Sequence, residues 1–148
     1  MHDAITMTEE ERDGMLERAI PMRFASYGES GMPHVAPVWH AYLDGALYFD
    51  TDRASVKVRN VEQTAVGAGV VDTGTSYDEL RGVLVQGEAN LVDEDTRERV
   101  VLHNVDKWFD GDVPGFVQAR NDDVERVCVE LSMDHVTTWD FRKVFGGG

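Results

Sequence analysis

The segment from Phe49 to Asn60, FDTDRASVKVRN, concentrates positive charge in a chain that is otherwise strongly negative. Its last eight residues contain three cations, Arg53, Lys57 and Arg59, and no acid, whereas the whole chain carries a formal charge of −14. A local cluster of this kind attracts anions that the protein as a whole repels at long range. We therefore interpret the segment as an anion site, with the phosphate of a bound cofactor as the candidate ligand.

The elements predicted around this segment suit that chemistry. The pattern predicts a strand that ends at Thr51 and a short helix that begins near Ser55. The first turn of a helix presents unpaired amides and partial positive charge, so a phosphate placed there accepts hydrogen bonds. Lys57 falls in this turn, where a cation is unfavourable unless an anion lies in front of it. The alternative is an ordinary surface helix capped by Ser55.

The remaining candidate residues do not form a second reactive site. His34 and His40 lie six apart on one predicted strand, and a metal site needs a third ligand that the nearby spacing does not supply. Cys128, the single cysteine, fits a small buried strand residue better than a nucleophile. We predict no metal site and assign no catalytic residue, which is compatible with a cofactor that itself carries the reactive group.

Composition restricts the partners of the protein. The 28 acids against 14 bases repel DNA, RNA and anionic lipid. The acidic N-terminus, the lack of a long apolar run and the single cysteine predict a cytoplasmic protein without a membrane span or an internal disulfide. The acid-rich, lysine-poor composition also favours a halophilic source, with simple acidity for solubility as the alternative. Loss of cooperative folding when salt is raised to molar levels would contradict the halophilic interpretation.

The elements that must position the anion site are mostly strands. The chain length predicts a single domain over 1–148, with an N-terminal helix in 1–20, a barrel core over 21–142 and a tail over 143–148. Thr8 to Glu11 reads as a capping box, and Asp44-Gly45 reads as the turn of a hairpin. Residues 82–91 alternate as a half-buried strand, and a long helix capped by Asp95 or Thr96 ends near Trp108. This order predicts a mainly β fold, an antiparallel barrel with peripheral helices.

The order of these segments resembles the pyridoxamine 5'-phosphate oxidase-like superfamily of flavin-binding split barrels. The resemblance lies in SGMPHVAPVWHAYLDGALYFDTDRASVKVRNV, then TAVGAGVV, RGVLVQGEANLV and the closing VTTWDFRK. The shared features are a Gly-x-Pro turn, a Pro-Val-Trp strand, an aromatic-x-Thr strand end and a Ser-x-Lys-x-x-Asn helix start. An arginine followed by Val-x-Val-x-Gly-x-Ala comes later, and the joint order of these motifs is more specific than any one of them.

The resemblance implies a six-stranded Greek-key split barrel that binds FMN at the interface of a homodimer. It implies that Thr51, Ser55 and Lys57 hold the phosphate and that the backbone of residues 36–39 lines the flavin ring. The partner subunit would complete the pocket, with Gln86, Trp108 and Trp139 as candidates. The full set of cofactor-binding candidates is Ala36, Pro37, Val38, Trp39, Asp50, Thr51, Ser55, Val56, Lys57 and Gln86.

The chain also departs from the oxidases themselves. Val56 stands where many of them carry an arginine, His40 stands where they carry a phosphate-binding lysine, and the chain ends in FGGG without an arginine-rich substrate segment. We therefore expect a flavoprotein oxidoreductase acting on an unidentified small molecule and not a true pyridoxamine phosphate oxidase. The alternatives are a deazaflavin coenzyme in place of FMN, or a non-catalytic protein that sequesters flavin, deazaflavin or haem.

Overall fold

A computed structural model describes residues 2–145, with the side chains of residues 2 and 120 left out. The helices are α1 His2–Ile5, α2 Glu9–Glu17, α3 Val56–Thr64, α4 Glu94–Phe109 and α5 Gly115–Asp122. The strands are β1 Met22–Tyr27, β2 Pro33–Val38, β3 His40–Leu43, β4 Ala46–Asp52, β5 Val66–Thr73, β6 Arg81–Leu91, β7 Arg126–Ser132 and β8 His135–Asp140. Short 3₁₀ turns cover Tyr77–Glu79 and Phe141–Lys143. The last three residues of the predicted tail lie outside the described residues.

The strands form one curled antiparallel sheet, which confirms the predicted split barrel with peripheral helices. Their order is β2-β1-β5-β6-β7-β4-β3, and β8 pairs with β6. The described residues therefore contain eight strands where six were expected. The 11-residue β6 pairs with β8 through residues 81–86 and with β7 through residues 89–91, so it belongs to both halves of the barrel.

Several predicted local features are present. Thr8 accepts a hydrogen bond from the Glu11 amide and Glu11 accepts one from the Thr8 amide, which is the capping box expected at the start of α2. Asp44 and Gly45 both adopt left-handed φ angles, 51° and 76°, as a tight hairpin turn requires. Along β6, Val83, Val85 and Ala89 are buried on one face, as the alternation indicates.

The strand expected over Val35 to Leu43 is instead divided at Trp39. The preceding strand pairs with β1, where Val38 opposes Met22, and the following one pairs with β4, where His40 opposes Phe49. At this point the chain leaves its pairing with β1 and begins its pairing with β4, so it passes from one half of the split barrel to the other. The carbonyls of Trp39 and His40 accept hydrogen bonds from side chains of α4.

The core lies inside the curled sheet. Phe24 of β1 and Phe49 of β4 are fully buried with ring centroids 4.7 Å apart, and they join the two halves of the barrel. Met15 and Leu16 of α2 pack against the same cluster. The N-cap of α4 is Asp93, whose side chain accepts from the Thr96 amide, so this helix begins earlier than the expected cap at Asp95 or Thr96.

Candidate ligand-binding cleft

A cleft of about 610 Å³ opens beside the end of β2, the end of β4 and the first turn of α3, with α4 and α5 on its other side. It contains three cations against two acids, although acids outnumber bases twofold in the whole chain. Its lining residues are Pro37, Val38, Trp39, Asp50, Thr51, Lys57, Arg97, Val101, Asn104, Val105, Phe109, Val113, Val117, Gln118, Asn121, Asp122 and Arg126.

The cationic end of the cleft is formed by Lys57 at the start of α3. Its ammonium group makes no hydrogen bond or ion pair within residues 2–145. Burial lowers the pKa of Lys57, and the charge of Arg126 lowers it further while Asp52 raises it. A bound anion would reverse this shift, because an opposite charge nearby favours the charged form.

The first turn of α3 offers further donors. Its first turn-closing hydrogen bond runs from the Arg59 amide to the Ser55 carbonyl, at 3.3 Å. The three preceding amides have no acceptor among the described residues. Ser55 is the N-cap, yet its hydroxyl caps nothing and is buried without a partner. An unbonded hydroxyl at this position could donate to an anion, because a hydroxyl hydrogen rotates to suit its acceptor.

The structure separates the three cations that the sequence grouped together. Arg53 forms two hydrogen bonds with Glu62, at 2.8 and 2.9 Å, so its charge is matched by a carboxylate outside the cation-rich window. Arg59 is exposed and does not line the cleft. Only Lys57 of the three lines the cleft, so the positive charge of the segment is dispersed over different surfaces.

Two arginines from distant parts of the chain supply the charge in their place. Asp50 of β4 accepts from Arg97 of α4 at 2.7 Å through one carboxylate oxygen and from Arg126 of β7 at 3.0 Å through the other. Arg97 also bonds Glu94 at 2.6 Å. With both oxygens engaged, Asp50 acts as the group that orients two guanidinium groups along the cleft wall.

The opposite end of the cleft is aromatic. Trp39 is 47% exposed, and its ring stacks on Trp108 with centroids 5.0 Å apart and an interplanar angle of 2°. Phe109 packs edge-on against Trp39 at 5.1 Å. The Asn104 amide donates to the Trp39 carbonyl at 3.1 Å. A rigid exposed indole of this kind is a platform on which a planar ligand can stack.

A single face of α4 connects the two ends. Its cleft-lining residues recur at helical spacing and are Arg97, Val101, Asn104, Val105 and Phe109. The twelve-residue separation between the first and the last corresponds to about 18 Å along the helix axis. The cleft is therefore elongated, with cations at one end and aromatic rings at the other.

The remaining predicted site residues lie around the cleft or away from it. Pro37, Val38 and Thr51 line the cleft. Three of the predicted residues do not line it: Ala36 of β2, which opposes Phe24 of β1, Ser55, the N-cap of α3, and Val56, which is exposed at the start of that helix. Gln86 lies in a second depression of about 550 Å³ over β1, β5 and β6.

Sequence reasoning missed Arg97, Asn104 and Arg126, as well as the whole of α5. The helical spacing from Arg97 to Phe109 was available as a signal, because it places one cation, one amide and one aromatic ring on a single face. Arg126 carries no local signal, since its role depends on the pairing of β7 with β4. In α5 no described residue is buried, so it lacks the apolar stripe by which helices are recognised.

The described residues contain neither a helix suited to span a membrane nor a cluster suited to bind a metal ion. No helix within residues 2–145 combines the length and apolar composition needed to cross a membrane. No group of three or more His, Cys, Asp or Glu side chains in that range is arranged to hold a metal ion.

Solved structures of other proteins share this fold. A conserved hypothetical protein, Rv2991, from Mycobacterium tuberculosis is 26% identical with a TM-score of 0.83, covering 95% of this chain and 89% of the other. An F420 reductase is 22% identical with a TM-score of 0.68, covering 88% and 98%. An FAD-binding protein from Mesorhizobium loti is 20% identical with a TM-score of 0.67, covering 90% and 94%.

Comparison by sequence gives the family. No protein of curated function matches the chain. The family model described as pyridoxamine 5'-phosphate oxidase matches residues 7–140, which is most of the chain. The chain therefore belongs to the pyridoxamine 5'-phosphate oxidase family.

Proposed function

We propose that this protein binds a phosphate-bearing flavin of the FMN type in the cleft and serves as a flavin-dependent oxidoreductase on a small molecule. The observation that carries the proposal is Lys57, a half-buried cation without a partner among the described residues, at a helix start whose first amides are also unbonded. Such a turn is a ready anion site. The exposed Trp39 ring in the same cleft supports a planar group at the other end.

The dimensions of the cleft fit such a ligand. Its volume of about 610 Å³ falls in the range of small-molecule sites. Polar side chains of α5, Gln118 and Asn121, line it together with the apolar residues of α4. A ligand with a charged tail, a hydroxylated linker and a planar ring matches the cationic, polar and aromatic parts of the cleft in that order.

The flavin, when bound, would supply hydride or electron transfer, and the residues of this chain would bind and orient it. Lys57, Ser55 and Thr51 would hold the phosphate, with Arg97 and Arg126 fixed by Asp50 beside them. Trp39 would set the plane of the ring. His40 is fully buried and bonded to the Leu16 carbonyl, so it cannot replace the phosphate-binding lysine of the oxidases. This difference supports an activity other than pyridoxamine phosphate oxidation.

A deazaflavin coenzyme is the alternative ligand, and sequestration without catalysis is the alternative role. The similar folds include one F420 reductase and one FAD-binding protein, so the architecture accommodates both ligand types. The cleft residues of this chain suit any ligand that joins an anionic tail to a planar ring. Haem is a further alternative for a sequestering role.

We also propose that the protein is a homodimer with the ligand near the subunit interface. The outer face of the sheet carries a row of directly paired residues, Val35, Ala25, Ala68, Gln86 and His135. Val35 is 64% exposed, and Tyr27 and Val66 extend the apolar area. Pro37, two residues along β2 on the same side as Val35, lines the cleft. A second copy packed on this face would bring its own Gln86 towards the ligand.

The anion end is tested by replacing Lys57 with alanine and titrating the protein with FMN and with riboflavin, which lacks the phosphate. We expect FMN binding to weaken by about 1.5–3 kcal/mol, the range for a hydrogen bond to a charged group. Riboflavin affinity should change little. Arg59→Ala is the matched control, because Arg59 is an exposed cation of the same helix outside the cleft, and it should leave both affinities within about 0.5 kcal/mol.

Unchanged FMN affinity in Lys57→Ala would place the phosphate elsewhere and contradict the proposal. Absorbance of the purified protein separates the ligands: a flavin spectrum that dithionite bleaches favours FMN, and a Soret band favours haem. Turnover with reduced nicotinamide or reduced deazaflavin then separates an oxidoreductase from a binding protein.

A further inference from the structure

Asn104 of α4 carries a buried acceptor without a partner in the wall of the cleft. Its Oδ1 atom is shielded from solvent and makes no hydrogen bond within the described part of the chain. Leaving a buried polar group unbonded costs about 1–3 kcal/mol. Native structures contain few such groups, so each one needs an explanation.

The orientation of the amide is fixed by its neighbour. The Nδ2 atom of Asn104 donates to the Trp39 carbonyl at 3.1 Å, and only the NH₂ end of the side chain can do so. Reversing the amide would bring its oxygen against the carbonyl oxygen. The atom without a partner is therefore an acceptor, held close to the backbone of Trp39.

The two ends of the cleft thus differ in hydrogen-bonding character. The α3 end offers donors, namely the Lys57 ammonium and the unbonded amides of the first helical turn. The aromatic end offers the Asn104 acceptor. A ligand that satisfies both carries an anion at one end and a hydrogen-bond donor on its planar ring.

We propose that Asn104 is a specificity-determining residue that accepts a hydrogen bond from a ring N–H of the bound heterocycle, of the cyclic-imide type. This inference rests on the proposed function and names the chemistry that the aromatic end selects. Flavins and deazaflavins both present an imide N–H on their pyrimidinedione ring. A metallated haem has no ring N–H, so an acceptor at this position disfavours it.

The experiment compares FMN with its N3-methyl derivative, in which the imide N–H is replaced by N–CH₃. The wild-type protein should bind FMN at least about tenfold more tightly than the methylated ligand, the factor expected for one hydrogen bond. Asn104→Leu keeps a similar side-chain shape but has no acceptor. It should bind FMN about tenfold more weakly and lose the discrimination between the two ligands.

Leu102→Ala is the matched control, because Leu102 lies on the same helix, is 70% exposed and does not line the cleft. It should retain the wild-type preference for FMN. If Asn104→Leu does not fold, Asn104→Ala and the two-ligand comparison on the wild-type protein carry the test.

Equal binding of the two ligands by the wild-type protein, with FMN affinity still dependent on Lys57, would overturn the role of Asn104 and leave the flavin site intact. Equal weakening of both ligands by Asn104→Leu would also overturn it, because a purely structural residue behaves in that way. Failure of the wild-type protein to bind any flavin would overturn the proposed function as well.

Discussion

Lys57 and Arg53 are four residues apart, yet only one of them is available to a ligand. Arg53 is matched by Glu62 of α3, two residues beyond the end of the cation-rich segment. Lys57 remains unpaired among residues 2–145 and partly desolvated at the first turn of α3. A count of charges within a short window therefore overestimates the charge that a ligand meets, because side chains outside the window neutralise part of it.

His40 provides a test of the buried framework behind the aromatic end. It is fully buried, and its Nε2 donates to the Leu16 carbonyl at 2.8 Å. Burial lowers the pKa of His40 to about 4, and the charge of Lys107 acts in the same direction. Because the unfolded chain binds a proton near pH 6.5 and the folded one does not, stability falls as the pH drops from about 6.5 to about 4.

We predict that His40→Gln reduces the loss in free energy of unfolding between pH 6.5 and pH 4 by up to about 3 kcal/mol, the contribution of His40 protonation. Glutamine keeps a donor for the Leu16 carbonyl but does not titrate. Urea unfolding of the wild-type and His40→Gln proteins at pH 7 and pH 4.5 measures the difference. A His40→Gln protein whose stability falls with pH as steeply as that of the wild type would contradict the prediction.

The helices determine the shape of the cleft more than the strands do. One face of α4 reaches both ends of the cleft, and three side chains near its C-terminus bond the carbonyls of Trp39 and His40. This attachment occurs where the chain passes from one sheet pairing to another. The α4 helix therefore positions the aromatic platform, although the sequence indicated only a long peripheral helix that ends near Trp108.

The C-terminus of α3 offers a test of element stability. Ala65, its C-cap, adopts a left-handed φ of 56°, which is costly for a residue with a Cβ and free of strain for glycine. We predict that Ala65→Gly raises the free energy of unfolding by about 0.5–1 kcal/mol. Ala54→Gly, outside the left-handed positions, should give no gain. A destabilised Ala65→Gly protein would show that the cap geometry is not maintained.

At the scale of the whole molecule, the exposed apolar face of the sheet is the feature that a second copy would cover. We predict that the wild-type protein has about twice the chain mass of 16.6 kDa by size-exclusion chromatography with light scattering. Val35→Glu should shift it to the monomer, because a charge at the centre of a buried interface loses its solvation. Leu102→Glu, at an equally exposed apolar residue on α4, should remain dimeric. A dimeric Val35→Glu protein would exclude this face as the interface.

The sequence by itself determined the features that depend on neighbouring residues. The capping box of α2, the Asp44-Gly45 hairpin, the buried face of β6 and the place of Lys57 in the first turn of α3 were all predicted from short windows. The order of segments also predicted the barrel and its family. These features follow from hydrogen bonds and side-chain periodicity within a few residues, which a linear reading contains.

Only the tertiary structure decided which groups meet in the cleft. Asp50 contacts Arg97 and Arg126, which are 47 and 76 residues away, and Asn104 reaches the Trp39 carbonyl across 65 residues. Strand order and the packing of α4 bring these side chains together. No local pattern encodes such contacts, because their free energy is realised only when the barrel has closed.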